Sequence, residues 1–308
     1  MLSGFQRYLA AKKSVDDRAL NRPVWEALRS RVAGRRSSEP LRILELGCGI
    51  GTMVERLLEW GLSDQAHYLG IDEQPDNITA AWQRLPVWAG QRGFSAISAT
   101  DGLALKSGKS HWQASFAVAD ALDFCCRPEQ AAGYDLVIAH AFLDLIDIPQ
   151  FLPWLAQLLA PGGLFYFTLN FDGETIFEPV LDAGFEARVM ALYHRSMDER
   201  LIAGQVSGDS RAGRHLFGHL RAGGARLLAA GASDWVVYPH GDGYPDDEAY
   251  FLNFILGFFA DTLAGHPELK PGELAGWLQQ RRQQIAQAEL VYIAHQLDFL
   301  GEFSQRGI

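Results

Sequence analysis

Glu45 stands two residues before the first of three glycines at alternate positions, Gly47, Gly49 and Gly51, in the run Leu41-Arg-Ile-Leu-Glu-Leu-Gly-Cys-Gly-Ile-Gly-Thr-Met53. A carboxylate near the end of an apolar run, followed by a backbone that can turn sharply and admit a ligand where a Cβ would clash, suits a nucleotide site. The run reads as a buried parallel strand delivering a glycine loop to the start of a helix. A dinucleotide fingerprint, G-x-G-x-x-G, begun at Gly47 requires glycine at position 52, and Thr52 stands there. Two more acids follow apolar runs. Tyr68-Leu-Gly-Ile-Asp72 puts a carboxylate about twenty residues past the loop, where it can accept two hydrogen bonds from a ribose diol. Asp120, after the run Ser115–Ala119, can accept the exocyclic amine of a base.

The acid with its G-x-G-x-G, then Asp72, Asp120, Ala139-His-Ala-Phe-Leu-Asp144 and Leu158-Leu-Ala-Pro-Gly-Gly-Leu164 occur in order over residues 41–170. Together they resemble the successive motifs of class I S-adenosylmethionine (SAM)-dependent methyltransferases. The resemblance implies SAM as cofactor and S-adenosylhomocysteine (SAH) as product, with no metal. It implies that Glu45, Gly47, Gly49 and Gly51 shape the methionine end, Asp72 the ribose and Asp120 the adenine. Cys48, Glu73 and Ala121 would contact the cofactor beside them, His140 would sit beside the sulfonium, and Arg18 is a candidate partner for the methionine carboxylate.

Sites in open α/β sheets lie beyond the carboxyl ends of the strands, which directs attention to the segments after the fourth and fifth. Asp144, Asn170, Arg211 and Arg214 are the expected substrate-binding residues. Arg211 and Arg214 lie three apart at an expected helix start, a setting suited to an anion. Tyr193, His194 and His140 are the expected catalytic residues. Tyr193 to Arg200 reads as loop. His215 and His219 share a helix face, but without a third ligand they suggest no metal site.

These residues need a scaffold of alternating strands and helices. Strands are expected at 42–46, 67–71, 115–119, 135–139 and 164–169, with helices at 52–60, 76–91 and 149–159 between them. The unalternated apolar strands indicate a parallel, doubly wound sheet. A small hairpin is expected within 92–111, and residues 225–230 and 235–238 read as an antiparallel closing pair. The expected fold class is therefore α/β: a mostly parallel, seven-stranded, Rossmann-like methyltransferase sheet with an antiparallel last strand. Two N-terminal helices over 3–33, a helix over 246–263 and another from 271 to about 303 complete it. The domains expected are a helical cap at 1–36, a SAM-binding core at 37–240 with an insertion around 174–213, and a helical appendage at 241–308.

The chain of 308 residues has a hydrophobic fraction of 48%, a charged fraction of 21% and a formal net charge of −10. That is the balance of a globular protein whose surface repels phosphate backbones, which argues against a nucleic-acid partner. Residues 1–36 reverse the sign, with nine Lys/Arg against three Asp/Glu. Three cysteines without ligand or disulfide spacing point to a reducing, cytoplasmic setting, and no run is long and apolar enough for a bilayer. The expected partner is a small-molecule methyl acceptor, and the expected state a monomer or homodimer. The function expected is in-line methyl transfer to O or N of a small metabolite, with the paired arginines favouring an anionic one. The alternatives are an RNA or protein methyltransferase, or a non-catalytic SAM-binding protein with a regulatory or assembly role.

Overall fold

The structure, a computed structural model, describes residues 4–35, 39–100, 102–202 and 204–303. Two helices lead: α1 (Gly4–Ala19) and α2 (Arg22–Ala33). Asn21 separates them, accepting the Val24 N–H at 3.1 Å as N-cap of α2. The first strand, β1 (Leu41–Leu46), is buried except at Arg42, as a central strand covered on both faces must be. Next come α3 (Thr52–Glu59), β2 (Gln65–Asp72) and α4 (Pro75–Gln91). The expected hairpin forms as β3 (Ser95–Ala99) and β4 (Gly102–Ser107), and β4 pairs antiparallel with β5 (Ser110–Val118). A short α5 (Ala121–Cys125) leads to β6 (Tyr134–His140), α6 (Ile148–Leu158) and β7 (Leu159–Glu178).

The expected turn Pro161-Gly-Gly lies inside β7, at a register shift against β6 between Tyr134 and Leu136. Beyond it, β7 runs on past Asn170 to Glu178, followed by α7 (Ala183–Asp198). Tyr193 and His194 therefore sit on a helix rather than in a loop. Asp182 caps α7 by accepting the Phe185 N–H at 2.9 Å, and Phe185, Val189 and Leu192 form its buried stripe. A two-stranded ribbon, β8 (Leu201–Ile202) with β9 (Gln205–Val206), precedes α8 (Ala212–Ala222).

The closing strands depart most from expectation. β10 (Ala225–Ala232) and β11 (Trp235–Val237) do not pair with each other. After α9 (Glu248–Leu263) and α10 (Glu273–Ala286), the chain returns as β12 (Val291–Phe303), and both strands pair with it antiparallel. Residues 291–303 are a strand, not the end of a helix. Tyr292, Ala294, Gln296 and Asp298 are buried at every second position, the period of a strand face. The segment 241–308 thus supplies sheet as well as helix.

Among the described residues the sheet has ten strands, not seven. Its order is β10-β12-β7-β6-β1-β2-β5-β4-β3, with β11 beside β12. The parallel strands run from β5 to β7, with β12 antiparallel against β7, and the hairpin β3–β4 widens one edge. The chain steps from β1 outward to β2 and β5, then crosses back to β6. The sheet therefore splays between β1 and β6, where ligand crevices form. Glu45 lies opposite Gly70 on one side and Ile138 on the other, so the glycine loop opens into that crevice. Among the described residues no helix is long and apolar enough to cross a membrane.

Candidate active site

A cavity of about 810 Å³ lies at the carboxyl ends of the parallel strands. Of the residues expected at the cofactor, Glu45, Gly47, Cys48, Gly49, Asp72, Glu73, Asp120, Ala121 and His140 line it. Gly47 and Gly49 have positive φ of 64° and 55°, and a Cβ on Gly47 would lie 2.7 Å from the Phe142 ring. The loop is thus moulded against the residue that walls the cavity. Gly51, with φ 79°, is the left-handed N-cap of α3 and does not line it, so Gly51 shapes the loop from behind.

Asp72 is fixed before any ligand arrives. One carboxylate oxygen accepts the Gly49 N–H at 2.9 Å; the other accepts the Gln74 N–H at 2.9 Å and Asn77 Nδ2 at 3.0 Å. Glu45 is buried and accepts the Tyr68 hydroxyl. Burial pushes its carboxyl up to about 8, against the pull of Tyr68 and Arg56. Asp120 caps α5 through one oxygen at the cavity rim.

Helix α1 closes the end of the cavity beside Glu45 and the glycine loop. Asp16 accepts Lys12 Nζ at 2.7 Å, Arg56 at 3.2 Å and the Trp235 indole N–H at 2.9 Å. Burial alone would raise its carboxyl, yet Lys12, His140 and Arg56 together hold it below the usual range. His140 Nε2 lies 3.0 Å from Asp16 and Nδ1 lies 2.8 Å from the Thr168 hydroxyl. A carboxylate only accepts, so Nε2 carries the proton and Nδ1 accepts from Thr168. Burial, then the charge of Lys12, push His140 down to about 4. His140 is a neutral brace whose Nε2–H is given to Asp16 and whose Nδ1 lone pair is taken by Thr168, which leaves nothing to accept an acceptor's proton.

Arg18 does not reach the cavity; it holds buried Glu248 with contacts of 2.6 and 2.8 Å. The cation that α1 does present is Lys12, on the buried face, with its ammonium 5.1 Å from the Trp235 ring centroid. The expected anion clamp is likewise elsewhere. Arg214 holds Asp172 at 2.9 Å, Arg211 is exposed and packs over Gly173, and neither lines the cavity. Asn170 points into the sheet, donating to the Leu297 carbonyl at 2.8 Å. Asp144 and Tyr193 do face the cavity. Burial pushes the Asp144 carboxyl up and the Tyr193 phenol up to about 12, so Tyr193 is a hydrogen-bond donor at neutral pH, not a base. His194 sits behind the wall, 3.4 Å from the Thr175 hydroxyl.

The donor set suits the expected cofactor. Glu45, Asp72, Glu73 and Asp120 offer carboxylates and Lys12 an ammonium around a loop with no room for a Cβ at Gly47. Past this end the cavity continues between α1, α7, α9, β7 and β12, where most of its wall is aromatic or aliphatic.

Residues 44–165 match a family model described as a methyltransferase domain. No curated protein matches the chain. Similar solved structures include a provisional type II methyltransferase from Anaeromyxobacter dehalogenans, 15% identical with TM-score 0.49, covering 92% of this chain and 96% of that one. A SAM-dependent methyltransferase from Thiobacillus denitrificans in complex with SAH is 15% identical with TM-score 0.44, covering 91% of each chain. Phosphoethanolamine N-methyltransferase 2 from Haemonchus contortus in complex with SAM is 14% identical with TM-score 0.41. It is covered over 91% of this chain, which spans about half its length, 53%.

Proposed function

We infer that this chain, whose core is a class I SAM-dependent methyltransferase domain, methylates O or N of a small organic molecule held in the chamber beyond the cofactor. The observation that carries this is a single cavity in which the glycine loop, Asp72 and Asp120 open directly into an apolar space walled by α1, α7 and α9. SAM held there would supply an activated methyl on a sulfonium for in-line displacement by the acceptor's lone pair, with the carbon–sulfur bonding pair staying on sulfur as SAH.

The protein's part is placement. Asp72 and Glu73 would hold the ribose, Asp120 and Ala121 the adenine edge, and Glu45 with Lys12 the amino-acid end. Cys48 and the glycines would lie against the chain between them. Holding two reactants in line contributes on the order of 7–11 kcal/mol to such a step. The aromatic wall keeps water away, and Phe142, pressed on Gly47, borders both halves of the cavity. With His140 committed and Tyr193 protonated, Asp144 is a carboxylate facing the chamber that can take a proton from a hydroxyl or amine acceptor. We assign residues 1–36 the part of a cap over the cofactor end.

Calorimetry of the full chain with SAM and SAH tests the cofactor half. Both are expected to bind, and Asp72→Ala to weaken each by about tenfold or more, as the loss of a charged hydrogen-bonding group does. Unchanged affinity in that variant would overturn the assignment of Asp72. Release of labelled methyl onto a metabolite extract then separates a transferase from a protein that only binds SAM.

A further inference from the structure

We propose that the methyl acceptor is an apolar molecule bearing one carboxylate, and that Arg200 is the residue that reads it. The inference rests on the methyltransferase reading and names its substrate class. Beyond the cofactor end, Phe171 of β7, Tyr193 of α7, Phe258 and Phe259 of α9 and Tyr292 of β12 face one space. Tyr193 stacks on Phe259 with ring centroids 4.0 Å apart. Such walls bind flat or extended hydrocarbon, and a few polar groups orient it.

Two long cationic side chains line the cavity, Lys12 and Arg200. Lys12 is paired with Asp16 at 2.7 Å and already assigned to the cofactor's amino-acid end, which leaves Arg200 for the acceptor. Arg200 is half-buried, and among the described residues its guanidinium makes no hydrogen bond and no ion pair within 4.0 Å. Its charge is felt by Asp144 and Tyr193, yet it closes on neither. Opposite charges face the same space without meeting, and a guanidinium part-way out of water gains most from a planar bidentate anion. Asp144 and Asp147 on the same wall disfavour a doubly charged phosphate, which leaves a monoanionic carboxylate as the best match. The anion-reading arginine thus lies just past the end of α7, not at the start of α8.

The test uses the full chain saturated with SAH and three probes of one shape: 4-phenylbutanoate, 4-phenylbutan-1-ol and 4-phenylbutylamine. Calorimetry should show the carboxylate binding about tenfold or more tighter than the alcohol, the margin of a charge-assisted hydrogen bond. Arg200→Gln should bring the carboxylate to the alcohol's level while SAH affinity stays at the wild-type value, which also shows the variant is folded. Arg200→Lys should keep part of the preference. Equal affinities in the wild-type chain, preference for the amine, no binding of any probe, or a preference that survives Arg200→Gln would each overturn the proposal. So would tighter binding of a fourth probe, 4-phenylbutyl phosphate, than of the carboxylate. Failure of SAH to bind would sink the methyltransferase reading as well, whereas SAH binding without carboxylate preference removes the acceptor proposal alone.

Discussion

His140 marks the difference between a residue placed by pattern and one placed by packing. Its position at the end of β6 was legible from the run Ala139-His-Ala-Phe-Leu-Asp144, but its partners come from β7 and α1, which no local pattern reports. The partnership has a pH signature. An unfolded histidine takes up a proton near pH 6.5, while the folded His140 does so only near 4. Its contribution is therefore complete above pH 6.5 and lost as pH falls towards 4, by at most about 3 kcal/mol. Glu45, raised to about 8, works in the opposite sense between pH 8 and its unfolded value, so the measurable quantity is a difference. Denaturant midpoints of the wild type and His140→Gln should converge between pH 7 and pH 5; parallel profiles would show that His140 is not held neutral. Lys12 was missed for a related reason. Arg18, the candidate the resemblance implies, stands six residues from Lys12, roughly a third of a revolution away around the helix. The signal that was present is Lys12 and Asp16 at i, i+4 spacing inside the otherwise apolar stripe Tyr8, Ala11, Val15 and Ala19.

At the scale of elements, the parallel core could be read from sequence because β1, β6 and β7 each carry a continuous buried apolar run. Strand β12 could not, since Gln296 and Asp298 interrupt its buried face. Asp298 explains itself once the sheet is assembled. It accepts the Asn21 N–H between α1 and α2 and the Leu169 N–H in β7, each at 2.8 Å. Leu169 lines the cavity with φ 55°, a conformation unfavourable for a leucine, and Asp298 holds it there. Asp298→Ala leaves two backbone donors without their carboxylate and is expected to cost about 2–4 kcal/mol, read as a lower denaturant midpoint. Asp298→Asn retains an acceptor and should lose less. Equal stability of the alanine variant and the wild type would refute this account of the strand.

For the whole molecule, the active-site cavity and the sheet are one structure. β12 lies between β7 and β10, so removing residues 289–308 leaves two long strands with open edges rather than a trimmed core. That truncation is expected to aggregate and to lose SAH binding; a soluble, SAH-binding fragment would show that the segment is dispensable. The distribution of charge has the same global character. A net −10 chain carries a basic α1–α2 segment, and the four cations of α1 pair with Asp247, Asp16, Asp17 and Glu248. Arg7 and Arg18 thereby fasten α1 to Asp247 and Glu248 at the start of α9.

The bond from Asn21 to Asp298 joins positions 277 apart in the chain, and the cavity wall draws on α1 and β12 together. Contacts that distant form late, after the entropy of closing so long a loop has been overcome. A partly folded chain lacking β12 therefore has no finished place for SAM. Bound cofactor stabilises only the completed fold, so its effect falls on the rate of unfolding and not on the rate of folding.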